Sequence, residues 1–360
     1  MRRRWWLRGS AAVVCAVVVV ALVVVAHALW DRAHRTDFEQ ALATVPAGSA
    51  RISFTDWAAV RRTLHLPTVA DPGPKDLHRL MSRAYDKDFS AASSLDDYAA
   101  VVQRHYGFSP ANADWEAYGQ SRKGAAMVMR MPDDFGFGGL ADTLRSLGYR
   151  PPHHATGVWR GSPNLVASID PTLTPEVQNV VLLPDQHLLV TSDTPSYAAR
   201  AGAVAGGGGR PAADVESVSQ MASRSGDPAA AVVWTRAFAC RDLSMSKAAT
   251  GDQARASQLV RRAGTVSPLS GLVMAMGTDR DLTVAEQFES SDQARENLRA
   301  RARLAVGEAV GRGTGTFADQ FRLSRAATDG STVLLTLHPR RPSSFVLSAL
   351  YDGPVLFATC

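Results

Sequence analysis

The chain of 360 residues has room for two or three domains with real cores, and its 46% apolar and 20% charged residues exclude a disordered, collagen-like or coiled-coil protein. The formal charge of +5 suggests an acidic polymer as partner, but Arg2, Arg3, Arg4 and Arg8 all precede the first acid, Asp31. With those four set aside, 35 of the 39 basic side chains stand against 34 acidic ones, which excludes a strongly basic, nucleic-acid-binding body.

Residues 11–26 form an unbroken apolar run, AAVVCAVVVVALVVVA, continued by His27, Ala28, Leu29 and Trp30. Together they match the ~20 residues needed to cross ~30 Å of hydrocarbon. Trp5 and Trp6 on one side and Trp30 on the other suit the two headgroup regions, and the arginines hold the N-terminus cytoplasmic, leaving the body outside. A cleaved signal peptide is the alternative: Ala26-His27-Ala28 has the small-x-small pattern, and cleavage near Ala28 would secrete the body. The length of the run and the helix-compatible stretch behind it favour a single-pass anchor. Residues 1–30 are therefore read as cytoplasmic flank and transmembrane helix, and residues 31–48 as a helical stalk stopped by Pro46-Ala47-Gly48.

Residues 49–205 are predicted to form a first α+β unit. A short apolar run leads into a helix in which Trp57, Val60 and Leu64 share one face before Pro67. Asp96-Asp97 and Asp133-Asp134 have the chemistry of a carboxylate pair for glycan hydrolysis, although favourable placement at a helix N-terminus explains the acids at 133 and 134 more simply. Residues 124–131 (GAAMVMRM) are strand-like. Gly136, Gly138 and Ala141 fit the G-x-G-x-x-A pattern of a dinucleotide loop, but Pro132-Asp133-Asp134-Phe135 separate them from the strand, so a lead-in to the Leu140, Leu144, Leu147 helix is simpler and no cofactor is expected. His153-His154 is the only histidine pair, adjacent rings point apart, and no H-x-x-x-H, C-x-x-C or H-E-x-x-H spacing occurs, so no metal is expected either. A hairpin is predicted from residues 179–183 and 187–191 about Pro184-Asp185, with Thr194-Pro195-Ser196 opening a helix.

Four glycines at 206–209 and Pro211 make residues 206–211 a linker. Across it the chain repeats. ARISFTDWAAVR at 50–61 lies without gaps on AAVVWTRAFACR at 230–241, with Ala50/Ala230, Thr55/Thr235, Ala59/Ala239 and Arg61/Arg241 identical. Residues 212–360 are accordingly predicted to form a second, similar α+β unit, each unit an antiparallel sheet with helices on one face. GLVMAM at 271–276 takes the place of GAAMVMRM. A second hairpin spans 321–325 and 332–337 about Asp329-Gly330, with Arg341-Pro342-Ser343 opening a helix.

Within the second unit Ser244 and Lys247 fit the S-x-x-K pattern of penicillin-binding proteins, in which the lysine takes the serine proton. Lys247 is the last lysine and no S-D-N triplet exists, so a solvent-facing turn competes with the catalytic reading. Cys240 and Cys360 are the two cysteines outside the apolar run; one bridge, or two buried thiols, are both compatible with an extracytoplasmic body. Ser290 and Gln293 cap a helix on which Arg295, Arg299 and Arg303 form a basic stripe, largely offset by Asp292 and Glu296.

The N-terminal arrangement, the SFTDWAAVR run at 53–61 and the ending SSFVLSALYDGPVLFATC together resemble membrane-anchored proteins of actinomycetes without assigned activity. That resemblance carries over no catalytic residue. The expectation is a non-enzymatic cell-envelope protein that binds a partner protein, a polymer or another envelope component. The alternative is an envelope hydrolase using Ser244 with Lys247 or a pair of carboxylates.

Overall fold

Residues 35–360, apart from Thr314 and Ser343, are described by a computed structural model. The proposed anchor, with Trp5, Trp6 and Trp30, lies outside these residues. Among the described residues no helix is long and apolar enough to cross a membrane.

The first half runs α1 (Asp37–Leu42), β1 (Arg51–Asp56), α2 (Trp57–Thr63), α3 (Pro74–Asp86), α4 (Ala99–Tyr106), β2 (Trp115–Ser121), β3 (Gly124–Arg130), α5 (Phe137–Ser146), β4 (Val158–Arg160), α6 (Pro163–Ile169), β5 (Asn179–Leu183), β6 (Leu188–Ser192) and α7 (Pro195–Ala205). The second runs α8 (Glu216–Ser223), β7 (Ala230–Thr235), α9 (Ala237–Leu243), α10 (Thr250–Ala263), β8 (Gly271–Met276), β9 (Leu282–Gln287), α11 (Ser291–Leu304), α12 (Phe317–Gln320), β10 (Phe321–Asp329), β11 (Thr332–Pro339) and α13 (Leu347–Leu350). Both predicted hairpins form, β5–β6 and β10–β11. The capping signals act as expected: Thr194 caps α7 by accepting from Tyr197 N, and Ser290 caps α11 by accepting from Gln293 N.

All eleven strands form one antiparallel sheet in the order β10-β11-β9-β8-β7-β1-β2-β3-β6-β5-β4. The expectation of two sheets is corrected here: the order β1-β2-β3-β6-β5 is repeated as β7-β8-β9-β11-β10, and β1 pairs with β7 to fuse the halves. The gapless repeat shifts residues by 180, as from Ala50 to Ala230, and so maps Ile52 onto Val232 and Ser53 onto Val233. The observed pairs are Ile52 with Val233 and Ser53 with Val232, which places a pseudo-twofold axis between them. The same shift lays α1 on α8 and α2 on α9, so the repeat begins before the strand at which it was first visible. The glycine-rich linker does not hold the halves apart: Ala212 N donates to Val45 O, and Ala47 N to Arg210 O.

Two further expectations change. Residues 35–48 are not an exposed stalk, because Phe38, Ala41, Leu42 and Val45 are buried against Ile52, Phe54 and Trp115. The helices also cover both faces. On the back face α1, α7 and α8 bury the inward residues of alternate strand positions, such as Ile52, Val128, Val190 and Val233. On the front face there are two clusters, one under α2, α3 and α9–α11 around Trp57 and Trp234, the other under α4–α6 around Met129 and Leu144. The expected helix start at Arg341-Pro342-Ser343 is not matched by a helix equivalent to α7 among the described residues. The chain instead crosses the front face, with Val346, Leu347, Leu350 and residues 355–358 fully buried.

Candidate functional site

Strand β1 alternates Ile52 and Phe54 toward the back core with Arg51, Ser53 and Thr55 toward the front. In a strand at the centre of a sheet covered on both sides, that polar row has no open solvent to face. A cavity of about 300 Å³ opens over it, at the seam between the two front clusters. Arg51 and Ser53 of β1, Tyr118 and Gln120 of β2, and Val232 of β7 form its floor. Residues 91–95, Tyr98, Glu176 and Tyr351 form its walls.

The Arg51 guanidinium sits 5.5 Å from the ring of Trp234 and 5.2 Å from that of Tyr351, and its Nη2 donates to Tyr351 O at 3.1 Å. Among the described residues no carboxylate comes within ion-pair distance of it. Across the cavity Tyr118 Oη donates to Glu176 Oε1 at 2.8 Å. Burial and the Glu176 charge push the Tyr118 phenol upward, so it remains a protonated donor.

Glu116, two residues before Tyr118, is fully buried beside the cavity. Its Oε2 accepts from Trp57 Nε1 at 3.1 Å and its Oε1 from Ser94 N at 2.8 Å, which fixes the wall at residues 93–95. Burial raises its carboxyl to about 7, against the opposing hydrogen bonds.

The Tyr351 wall is held at both ends. Asp88, at φ 65°, accepts from Val346 N, Leu347 N and Ser348 N. At the far end Cys240 and Cys360 are joined in a disulfide with Cα atoms 5.4 Å apart. Beside it the buried Arg301 donates from Nη1 to Phe357 O and Thr359 O and from Nη2 to Ser267 O. Its Nε lies 3.6 Å from Glu286 Oε2. Burial drives both members of this pair toward neutrality: Glu286 is raised and Arg301 lowered.

The residues singled out by motif lie elsewhere. Ser244 Oγ accepts from Ser246 N in a short turn, while Lys247 Nζ turns to Asp242 Oδ1 at 3.9 Å. Lys247 N donates to Ser244 O along the backbone at 3.1 Å, but no side-chain hydrogen bond joins the two residues and neither lines the cavity. Asp133 is exposed and meets Arg130 and His187, and Asp96 is half-buried with its carboxyl raised by burial. Gly136 precedes α5, between strands that are all antiparallel, so the parallel crossover of a dinucleotide fold is absent there. Among the described residues there is no cluster of three or more metal-ligating side chains. Arg295 pairs with Asp292, and Arg303 Nη1 donates to Ala263 O.

Sequence reasoning passed over Arg51, Tyr118, Glu176, Glu116 and Arg301. For Arg51 a signal existed: the polar row of β1 belongs to the strand that the repeat marks as the start of a unit.

No family model matches the chain, and no curated protein matches it. Among solved structures it is similar to crystal form I of TP0453, at 10% identity and a TM-score of 0.40, covering 89% of this chain and 100% of that one. Crystal form III of TP0453 matches at 9% identity and a TM-score of 0.37, covering 86% and 96%.

Proposed function

We propose that this protein is a membrane-anchored, extracytoplasmic binding protein of the cell envelope whose central cavity holds a small ligand. The observation that carries this reading is the seam cavity. It places charged, phenolic and apolar groups around about 300 Å³ at the junction of the two halves, and its walls are fixed by Glu116, Asp88 and the C-terminal bridge. The apolar run at residues 11–26 supports the anchor. A disulfide between Cys240 and Cys360 suits an oxidising compartment. Binding is favoured over hydrolysis because the hydroxyl of Tyr118 is committed to Glu176 and the Ser244 and Lys247 side chains are turned to other partners.

The test uses the full-length chain in detergent micelles. Small molecules from an envelope extract should raise the melting temperature of the wild type and leave that of Ser53→Phe, which fills the cavity, unmoved. Equal shifts in both proteins, or none in either, contradict the reading. Protease added to intact spheroplasts should digest the body; protection would contradict the topology.

A further inference from the structure

Two opposite charges line the cavity without meeting. Arg51 is held by a carbonyl and two aromatic rings, Glu176 by the phenol of Tyr118, and the two are not an ion pair. The β1–β2 register explains the separation. Arg51 stands opposite Gln120 and Ser53 opposite Tyr118, so Arg51 and the Tyr118–Glu176 pair rise from diagonal positions on the same face. Each retains capacity. A guanidinium carries five N–H donors, and one acceptor is assigned to that of Arg51; a carboxylate has two oxygens, and Tyr118 uses one of Glu176.

We infer that the ligand of this cavity is a small zwitterion, a free amino acid or a dipeptide, with its carboxylate on Arg51 and its ammonium on Glu176. This deepens the binding reading above and rests on it. A ligand with only an anionic group satisfies Arg51 but sets a like charge near Glu176, and one with only a cationic group does the reverse. In a half-enclosed site such mismatches weaken binding strongly. Only a molecule carrying both charges neutralises both walls. Size agrees: about 300 Å³ lies at the small end of ligand cavities, which suits an amino acid or dipeptide. Tyr98, Leu95, Met127 and Val177 offer the apolar surface for its side chain.

The test is isothermal titration calorimetry on the full-length protein in detergent, with a panel of L- and D-amino acids and alanine-containing dipeptides. Each is run against its N-acetylated form, which lacks the ammonium, and its C-terminal amide, which lacks the carboxylate. At least one zwitterion should bind, and each blocked form should bind about tenfold or more weakly. Glu176→Gln should bring the N-acetylated form level with the zwitterion, and Arg51→Gln should do so for the amide. The blocked probes pose the same question to the unaltered protein, so a variant that fails to fold leaves the test intact. Blocked forms that bind as tightly as the zwitterion would overturn the inference while leaving a binding cavity. So would an extract component that stabilises the wild type while every zwitterion on the panel fails to bind. Failure of every probe and of the envelope extract would remove the binding reading with it.

Discussion

The Cys240–Cys360 bridge closes a loop over a sequence separation of 120 residues. In the chain-entropy account, removing a cross-link over a loop of that length returns to the unfolded ensemble about 5 kcal/mol of conformational freedom. The native state should lose little by comparison, because the tail has other attachments. Arg301 holds the carbonyls of Phe357 and Thr359, and Leu356, Phe357 and Ala358 are fully buried. A Cys240→Ala/Cys360→Ala variant should therefore keep its native near-ultraviolet spectrum and lose roughly 3–5 kcal/mol in equilibrium urea unfolding. Its m-value should be larger than that of the oxidised wild type, since the unbridged unfolded chain is more expanded. Wild type unfolded in the presence of a reductant should follow the variant's curve. A variant within about 1 kcal/mol of wild type, with an unchanged m-value, would refute the reasoning.

Three other outcomes follow from named contacts. Because burial holds the native Glu116 carboxyl near 7 and its ordinary value is 4.5, the folded state binds this proton more tightly than the unfolded state. Its contribution of roughly 3 kcal/mol is complete below pH 4.5 and is lost as pH rises through 7. Urea midpoints at pH 5 and pH 8 should show a smaller fall for Glu116→Gln than for wild type, and parallel falls would contradict the assignment. Arg301→Met strips the carbonyls of Phe357, Thr359 and Ser267 of their donor and leaves the buried Glu286 without its partner, and should cost about 3–5 kcal/mol by thermal unfolding. Adding Glu286→Leu should recover the part owed to the stranded carboxyl and not the part owed to the carbonyls of Phe357, Thr359 and Ser267, so a double variant no better than the single would count against the pair. Phe38→Ala should cost about 3–5 kcal/mol if α1 belongs to the core, whereas an exposed stalk would register less than about 0.5 kcal/mol in the same assay.

Arginines show why some of the molecule was legible in the sequence and some was not. In α11 the stripe of Arg295, Arg299 and Arg303 was readable from spacing, but Arg301 occupies the buried side with Ala294, Asn297 and Leu304. A charge at a core position of a helical period looks like one more surface arginine until its partners are known. Those partners, Glu286 on β9 and the carbonyls of the C-terminal tail, come from distant parts of the chain. Arg51 and Glu176 are hidden in the same way: each is ordinary alone, and only sheet pairing and the folding of the tail place both on one cavity.

By itself the sequence determined what depends on near neighbours: the hairpins at Pro184-Asp185 and Asp329-Gly330, the caps at Thr194 and Ser290, and the repeat that relates Ala50 to Ala230. These are set by backbone preferences and side-chain periods acting over a few residues. Tertiary structure decided that the two units share one sheet, that helices cover both faces, and that the polar row of β1 lines a cavity. The physical reason is that β1 and β7 join through backbone hydrogen bonds, which any pair of extended segments offers, so their pairing leaves no local mark in the residues.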